Sequence, residues 1–392
     1  LMSHFRNAVS LLVLPLIVLL CTNGCAEGKS ETDAARAALK KQSPELAFMP
    51  NSHITARLDL ADMRGAPIFD RLKALSDEND QLMGEDAANM KNVGRIHDKL
   101  TKHTGLTKED FLVICASADW SGVDFTKAKD EQNWEGGDML MGASFAKDLS
   151  MEDLHTALEE ARAENGDATA GIIEKTTYRG LPVISQKATP PARKVTVLFT
   201  VINDGRTLLA GTDAAFKAAL DRAFEGKPVA QAEATGTAFR DVAAGSHIDI
   251  RFLLPPSLQQ RLRETAREKQ AESAPQQQMA ANFYDAVQDL QGLALEVSAA
   301  DALDVRLGAH MASEEAANKM NTLAQGMILP MARMFLTMAS GGESVPLLQT
   351  LSTSVETGNV TSLSLAITDK DLTILEKAAK QKAQGQGAPM PQ

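Results

Sequence analysis

Four landmarks occur twice in this chain, in the same order, and that self-similarity constrains its fold more than any other feature. Ser52-His53-Ile54-Thr55-Ala56-Arg57-Leu58 returns as Ser246-His247-Ile248-Asp249-Ile250-Arg251-Phe252. Both segments alternate, so Ile54, Ala56 and Leu58, and then Ile248, Ile250 and Phe252, fall on one face of a strand. Phe111 to Asp119 matches Leu293 to Asp301, and Met139 to Phe145 matches Val305 to Met311. The fourth pair is Leu208 to Asp213 with Leu363 to Asp369, where Thr-Asp forms a helix cap each time. A helix pattern follows the first, third and fourth landmark in both copies. The fold class this implies is α+β: two tandem related modules, each an antiparallel sheet with helices packed on one face. Module 1 is expected over 45–227 and module 2 over 237–381, with the boundary in the Ala/Gln/Thr/Gly-rich stretch from Pro228 to Gly236. Extra hairpins are expected at Gly171 to Gln186 and Lys194 to Leu209, the second turning through Asp204-Gly205. Residues 382–392 read as a flexible tail.

The N-terminus says where such a body would work. His4-Phe5-Arg6-Asn7 precedes an apolar run from Ala8 to Cys21, too short for a bilayer crossing but right for the core of a signal peptide. The run ends in Thr22-Asn23-Gly24-Cys25, and a small residue just before a cysteine there resembles the lipobox of bacterial lipoproteins. Thr22 and Asn23 depart from the usual residues of that motif. The resemblance implies cleavage of residues 1–24, diacylglycerol on the Cys25 thiol, and acyl chains holding the protein to a membrane. It further implies sorting to the outer membrane, because Ala26 rather than Asp follows the cysteine. Residues 25–44 then form the lipid anchor and a polar tether. As a whole the layout resembles exported bacterial lipoproteins with repeated strand–helix modules, a likeness that lends no catalytic residue.

Composition narrows the function. A net charge of −11 argues against electrostatic capture of nucleic acid, and with aromatics at 4% the chain is poor in stacking platforms. The cysteines, Cys21, Cys25 and Cys115, cannot make a disulfide framework or a metal cluster, and Cys115 lies in the apolar run Phe111 to Ala116 as a core thiol. No nucleophile elbow, phosphate loop or His-Glu-x-x-His helix is present, so no enzyme, cofactor or metal is expected.

Three sets of residues remain as candidates. His53 and Arg57, with His247 and Arg251, occupy matched places on the polar side of each module's first strand, as a possible anion groove or as plain surface residues. Met327, Met331, Met334 and Met338 fall on one helical stripe, which suits a thioether copper site, an adaptable apolar groove, or a core seam. Trp120 and Trp134 bracket an acidic loop absent from the second copy, a candidate partner surface. The expected function is a membrane-anchored envelope protein with a non-catalytic binding or structural role, its partner a protein or a hydrophobic ligand. The alternatives are a carrier of lipid or another hydrophobic ligand, and an enzyme without a recognisable signature.

Overall fold

Every one of these alternating segments becomes a strand in the computed structural model, which describes residues 44–69, 71, 101–123, 125, 137–164, 171–187, 195–227, 229–234, 246–271, 278–339, 346–356, 359–374 and 376–377. The first half supplies β1 (Ile54–Asp59), β2 (Phe111–Asp119), β3 (Asp138–Phe145), β4 (Ile172–Tyr178), β5 (Leu181–Lys187), β6 (Thr196–Ile202) and β7 (Thr207–Thr212). The second supplies β8 (Ile248–Leu253), β9 (Leu290–Ala299), β10 (Ala302–Met311), β11 (Ser352–Glu356) and β12 (Val360–Thr368). These strands belong to one twelve-stranded sheet in the order β11-β12-β10-β9-β8-β1-β2-β3-β7-β6-β5-β4. The expectation of two tandem modules, each with its own sheet, is therefore overturned. Alternation reports which way a side chain points but not where a sheet stops, because an outer strand always has backbone groups left to pair.

The chain divides into two compact units, and the division is not a single cut. Of the described residues, one unit holds those within 44–61, 101–123 and 137–234; the other holds those within 62–71, Phe125 and those within 246–377. Within the second unit, Ile68 N donates to Ala300 O at 3.3 Å. Arg71 pairs with Asp369 at 3.2 Å and with Glu376 at 2.5 Å. Arg261 Nη1 donates to Phe125 O at 2.9 Å.

In the first unit the helices include α1 (Met151–Glu164) and α2 (Asp213–Phe224). All six residues of β7 are buried, as are the four central residues of β3 from Leu140 to Ala143. Burial of consecutive strand residues means that both faces of β3 and β7 are covered. One of these layers is explicit: Phe216 and Leu220 of α2 pack with Leu198, Leu209, Leu140 and Cys115 beneath the segment Leu46 to Met49. That segment is pinned by Ser117, whose hydroxyl donates to Ala47 O and accepts from Met49 N at 3.2 Å. The β6–β7 turn places Asn203, Asp204 and Gly205 at φ of 56°, 51° and 92°, the left-handed conformations such a hairpin requires.

Helices of the second unit include α3 (Pro256–Ala271), α4 (Gln278–Val287), α5 (Glu314–Leu323) and α6 (Leu329–Ala339). Ser313 caps α5 by accepting from Ala316 N at 3.1 Å. Ala316, Ala317 and Met320 of α5 then bury against Met311 and Val287, and Thr361 donates its hydroxyl to Ala317 O at 2.6 Å. Between α5 and α6 the helix widens into a π turn over Ala324–Ile328. Pro330 explains it: proline has no N–H to give to the carbonyl of Gly326, and its ring would collide with that carbonyl in a regular helix.

Candidate functional site

The two matched histidines make the same bond. His53, just before β1, accepts the backbone N–H of Trp120 on Nδ1 at 3.0 Å; His247, just before β8, accepts that of Ala299 at 3.0 Å. The register shows why: β1 pairs Ile54 with Ala118, and β8 pairs Ile248 with Val297. Trp120 therefore corresponds to Ala299, where the sequence match pointed to Ala302. Each histidine thus satisfies a backbone donor at the end of the neighbouring strand.

His53 carries a further neighbour, Asp119 Oδ1, at 3.0 Å from the same Nδ1. One nitrogen cannot accept from Trp120 and donate to Asp119 at once, so the two contacts belong to different tautomers or protonation states of the ring. Burial pushes the His53 pKa below its ordinary value of 6.5, with Asp119 opposing. The ring is therefore neutral in the folded protein near pH 7, and its Nε2–H tautomer is the one that accepts the Trp120 N–H. A histidine whose folded pKa is depressed contributes stability above its unfolded pKa, and loses it as the pH falls below that value. The denaturant midpoint is expected to drop on acidification below pH 6.5. His53→Gln should flatten that part of the curve, and an unchanged slope would refute the assignment.

Neither arginine of the matched pairs stands free. Arg57 Nη2 lies 2.9 Å from Asp59 Oδ2 and its Nε lies 3.6 Å from Glu45. Arg251 grips Asp249 through two bonds, Nε to Oδ1 at 3.0 Å and Nη2 to Oδ2 at 2.7 Å, with the two residues only 5% and 7% exposed. Both charges are balanced by carboxylates on their own strands.

The same face of the second unit's strands continues this pattern. Asp249 faces Glu296, Glu296 faces Arg306 and Arg306 faces Ser364. Arg306 Nη1 donates to Glu296 at 3.0 Å and Nη2 bonds Glu356, which also accepts from Ser362 at 2.6 Å. A shallow groove of about 310 Å³ runs here, bordered by Glu296, Ser298, Asp304, Arg306 and Thr350. Its arginine lies between two carboxylates, an arrangement that neither activates a nucleophile nor leaves a cation for a ligand. Among the described residues no group of three His, Cys, Asp or Glu could hold a metal. Cys115 is fully buried, and burial, first among the causes, pushes its thiol far above the range in which a thiolate forms.

The opposite face of those strands is apolar and partly open. Ile250, Leu295, Leu307 and Leu363 stand in one cross-strand row, Leu307 41% exposed and the other three half-buried. Asp249, Arg251 and Glu296 are covered while Leu307 reaches solvent, the reverse of an ordinary two-faced sheet.

The methionines divide. Met320 is buried in the α5 core, Met327 is half-buried, and Met331 and Met334 on α6 are 44% and 51% exposed. A stripe counted across Pro330 assumes 3.6 residues per turn throughout; the π turn rotates the residues beyond it by about 100° and re-aims α6. Phe335, 56% exposed, joins the open face. It was missed because the count followed sulfur, although Phe335 is adjacent to Met334 and as apolar. Met338 lies on α6, but its side chain, like Trp134 and Cys25, lies outside the described residues. Trp120 is only 6% exposed and packs beside Gly137.

Comparison of the chain with protein-family models, with curated proteins and with solved structures gave no match.

Proposed function

We propose that this protein is an exported, lipid-anchored component of the bacterial envelope with a non-catalytic binding role, and that α6 is its binding surface. One observation carries the second part: Met331, Met334 and Phe335 present adjoining apolar side chains to solvent. A face of this kind costs solubility unless something covers it, and flexible thioethers suit partners of varied shape. The paired state of every cation described at the two candidate polar sites supports the non-catalytic reading. A carrier of a single hydrophobic ligand is the second reading, favoured by the open row Ile250, Leu295, Leu307 and Leu363.

Two measurements test the proposal. Labelled palmitate is expected in the native chain and not in Cys25→Ser; equal labelling of both would remove the anchor. A benzophenone amino acid in place of Met334 should crosslink strongly in living cells. The same group in place of Ile172, 54% exposed in the first unit, should not. Equal yields at the two positions would remove α6 as the binding surface.

A further inference from the structure

Resting on that reading of α6, the geometry points to its partner: we propose that α6 lies in the plane of a bilayer carrying anionic lipid, as a second membrane contact beside the lipid on Cys25. The helix is Leu329-Pro330-Met331-Ala332-Arg333-Met334-Phe335-Leu336-Thr337-Met338-Ala339, with Arg333 its sole charge. No Asp or Glu occurs anywhere from Ala316 to Gly342, in a chain whose net charge is −11. An acidic body repels an anionic membrane, so a stretch from which carboxylates are missing is where close approach is least opposed. Exposure agrees with the charge pattern. Met331, Met334 and Phe335 are open on one face and Arg333 is exposed toward the opposite one, so in a helix lying flat Met or Phe can enter the acyl boundary while the guanidinium stays on the headgroup side.

The element is built to lie flat. No helix among the described residues is long and apolar enough to cross a membrane, so α6 cannot serve as a span. Its direction is set by Pro330 and the π turn, which release it from the path of α5, where Met320 is core. A short interfacial helix binds weakly alone. Tethered by acyl chains it meets the bilayer at high effective concentration, and a weak contact then suffices to orient the body.

The test uses the chain purified from membranes, carrying an environment-sensitive fluorescent amino acid in place of Met334 or, as the control, of Ile172. It is reconstituted with vesicles containing doxyl-labelled lipid, either phosphatidylglycerol with phosphatidylethanolamine or phosphatidylcholine alone. The expected result is quenching at 334 and not at 172 in the anionic vesicles. Arg333→Glu should weaken it at least about fivefold, one charge near such a surface being worth roughly that factor. Quenching at 334 no greater than at 172 in both vesicle types would overturn the proposal. Quenching that stays with the protein after the vesicles are removed would overturn it too, in favour of a carried lipid. If position 334 crosslinks a protein in cells yet is unquenched, the membrane contact falls while α6 stands as a binding surface; if it neither crosslinks nor is quenched, both fall.

Discussion

Arg251→Ala is expected to destabilise the fold by about 3–5 kcal/mol, the usual loss when one partner of a buried ion pair is removed. The guanidinium and the Asp249 carboxylate are joined by two bonds and lie at 5% and 7% exposure, so the truncation leaves a carboxylate without its bidentate partner where water is scarce. The pair itself need not be a net gain. Replacing both groups, Asp249→Leu with Arg251→Met, should recover most of the loss, because the desolvation cost of two charges goes with them. Urea unfolding of the two variants beside the native chain decides the matter. A cost below about 1 kcal/mol for Arg251→Ala would mean the pair behaves like an exposed one. The matched Arg57, half-buried and shared between Asp59 and Glu45, gives a built-in comparison and should lose less.

Gly142→Ala is expected to cost about 3 kcal/mol, while Gly308→Ala should be close to neutral, although the two glycines occupy matched positions in the sequence. A Cβ on Gly142 would collide with Pro44 O and sit 3.0 Å from Pro44 Cα, backbone that cannot move aside without lifting the Leu46 to Met49 segment from the core. A Cβ on Gly308 would meet Val360 Cγ1 at 3.4 Å and Ala294 Cβ at 3.8 Å, ordinary contacts. There the smaller conformational freedom of alanine in the unfolded chain offsets any crowding. Thermal unfolding of both variants is the check. Equal losses would show that strand propensity, not the strap over β3, governs this position.

Much of the local structure could be read before any coordinates. Alternation located β1 and β8, and the turn residues Asn203 to Gly205 located the β6–β7 hairpin, because both signals are confined to a few neighbouring residues. The matched histidines were legible as a pair, but their partner strand was not. The sequence match carried Asp119 onto Asp301, whereas hydrogen bonding puts Trp120 level with Ala299, and ladder register is fixed by pairing across the sheet. Trp120 looked like a loop side chain offered to a partner and is buried, since loop composition does not say what packs beside it.

By itself the sequence determined which residues alternate and where the turns fall. These depend on local periodicity and backbone preference, which travel with the chain. Only the tertiary structure decided that twelve strands share one sheet, that Asp249, Arg251 and Glu296 on the polar side of β8 and β9 are buried, and that α6 is turned outward. The reason is the same in each case. Burial belongs to a pair of surfaces, not to one, and a single proline before Met331 is enough to change which surface the helix after it can meet.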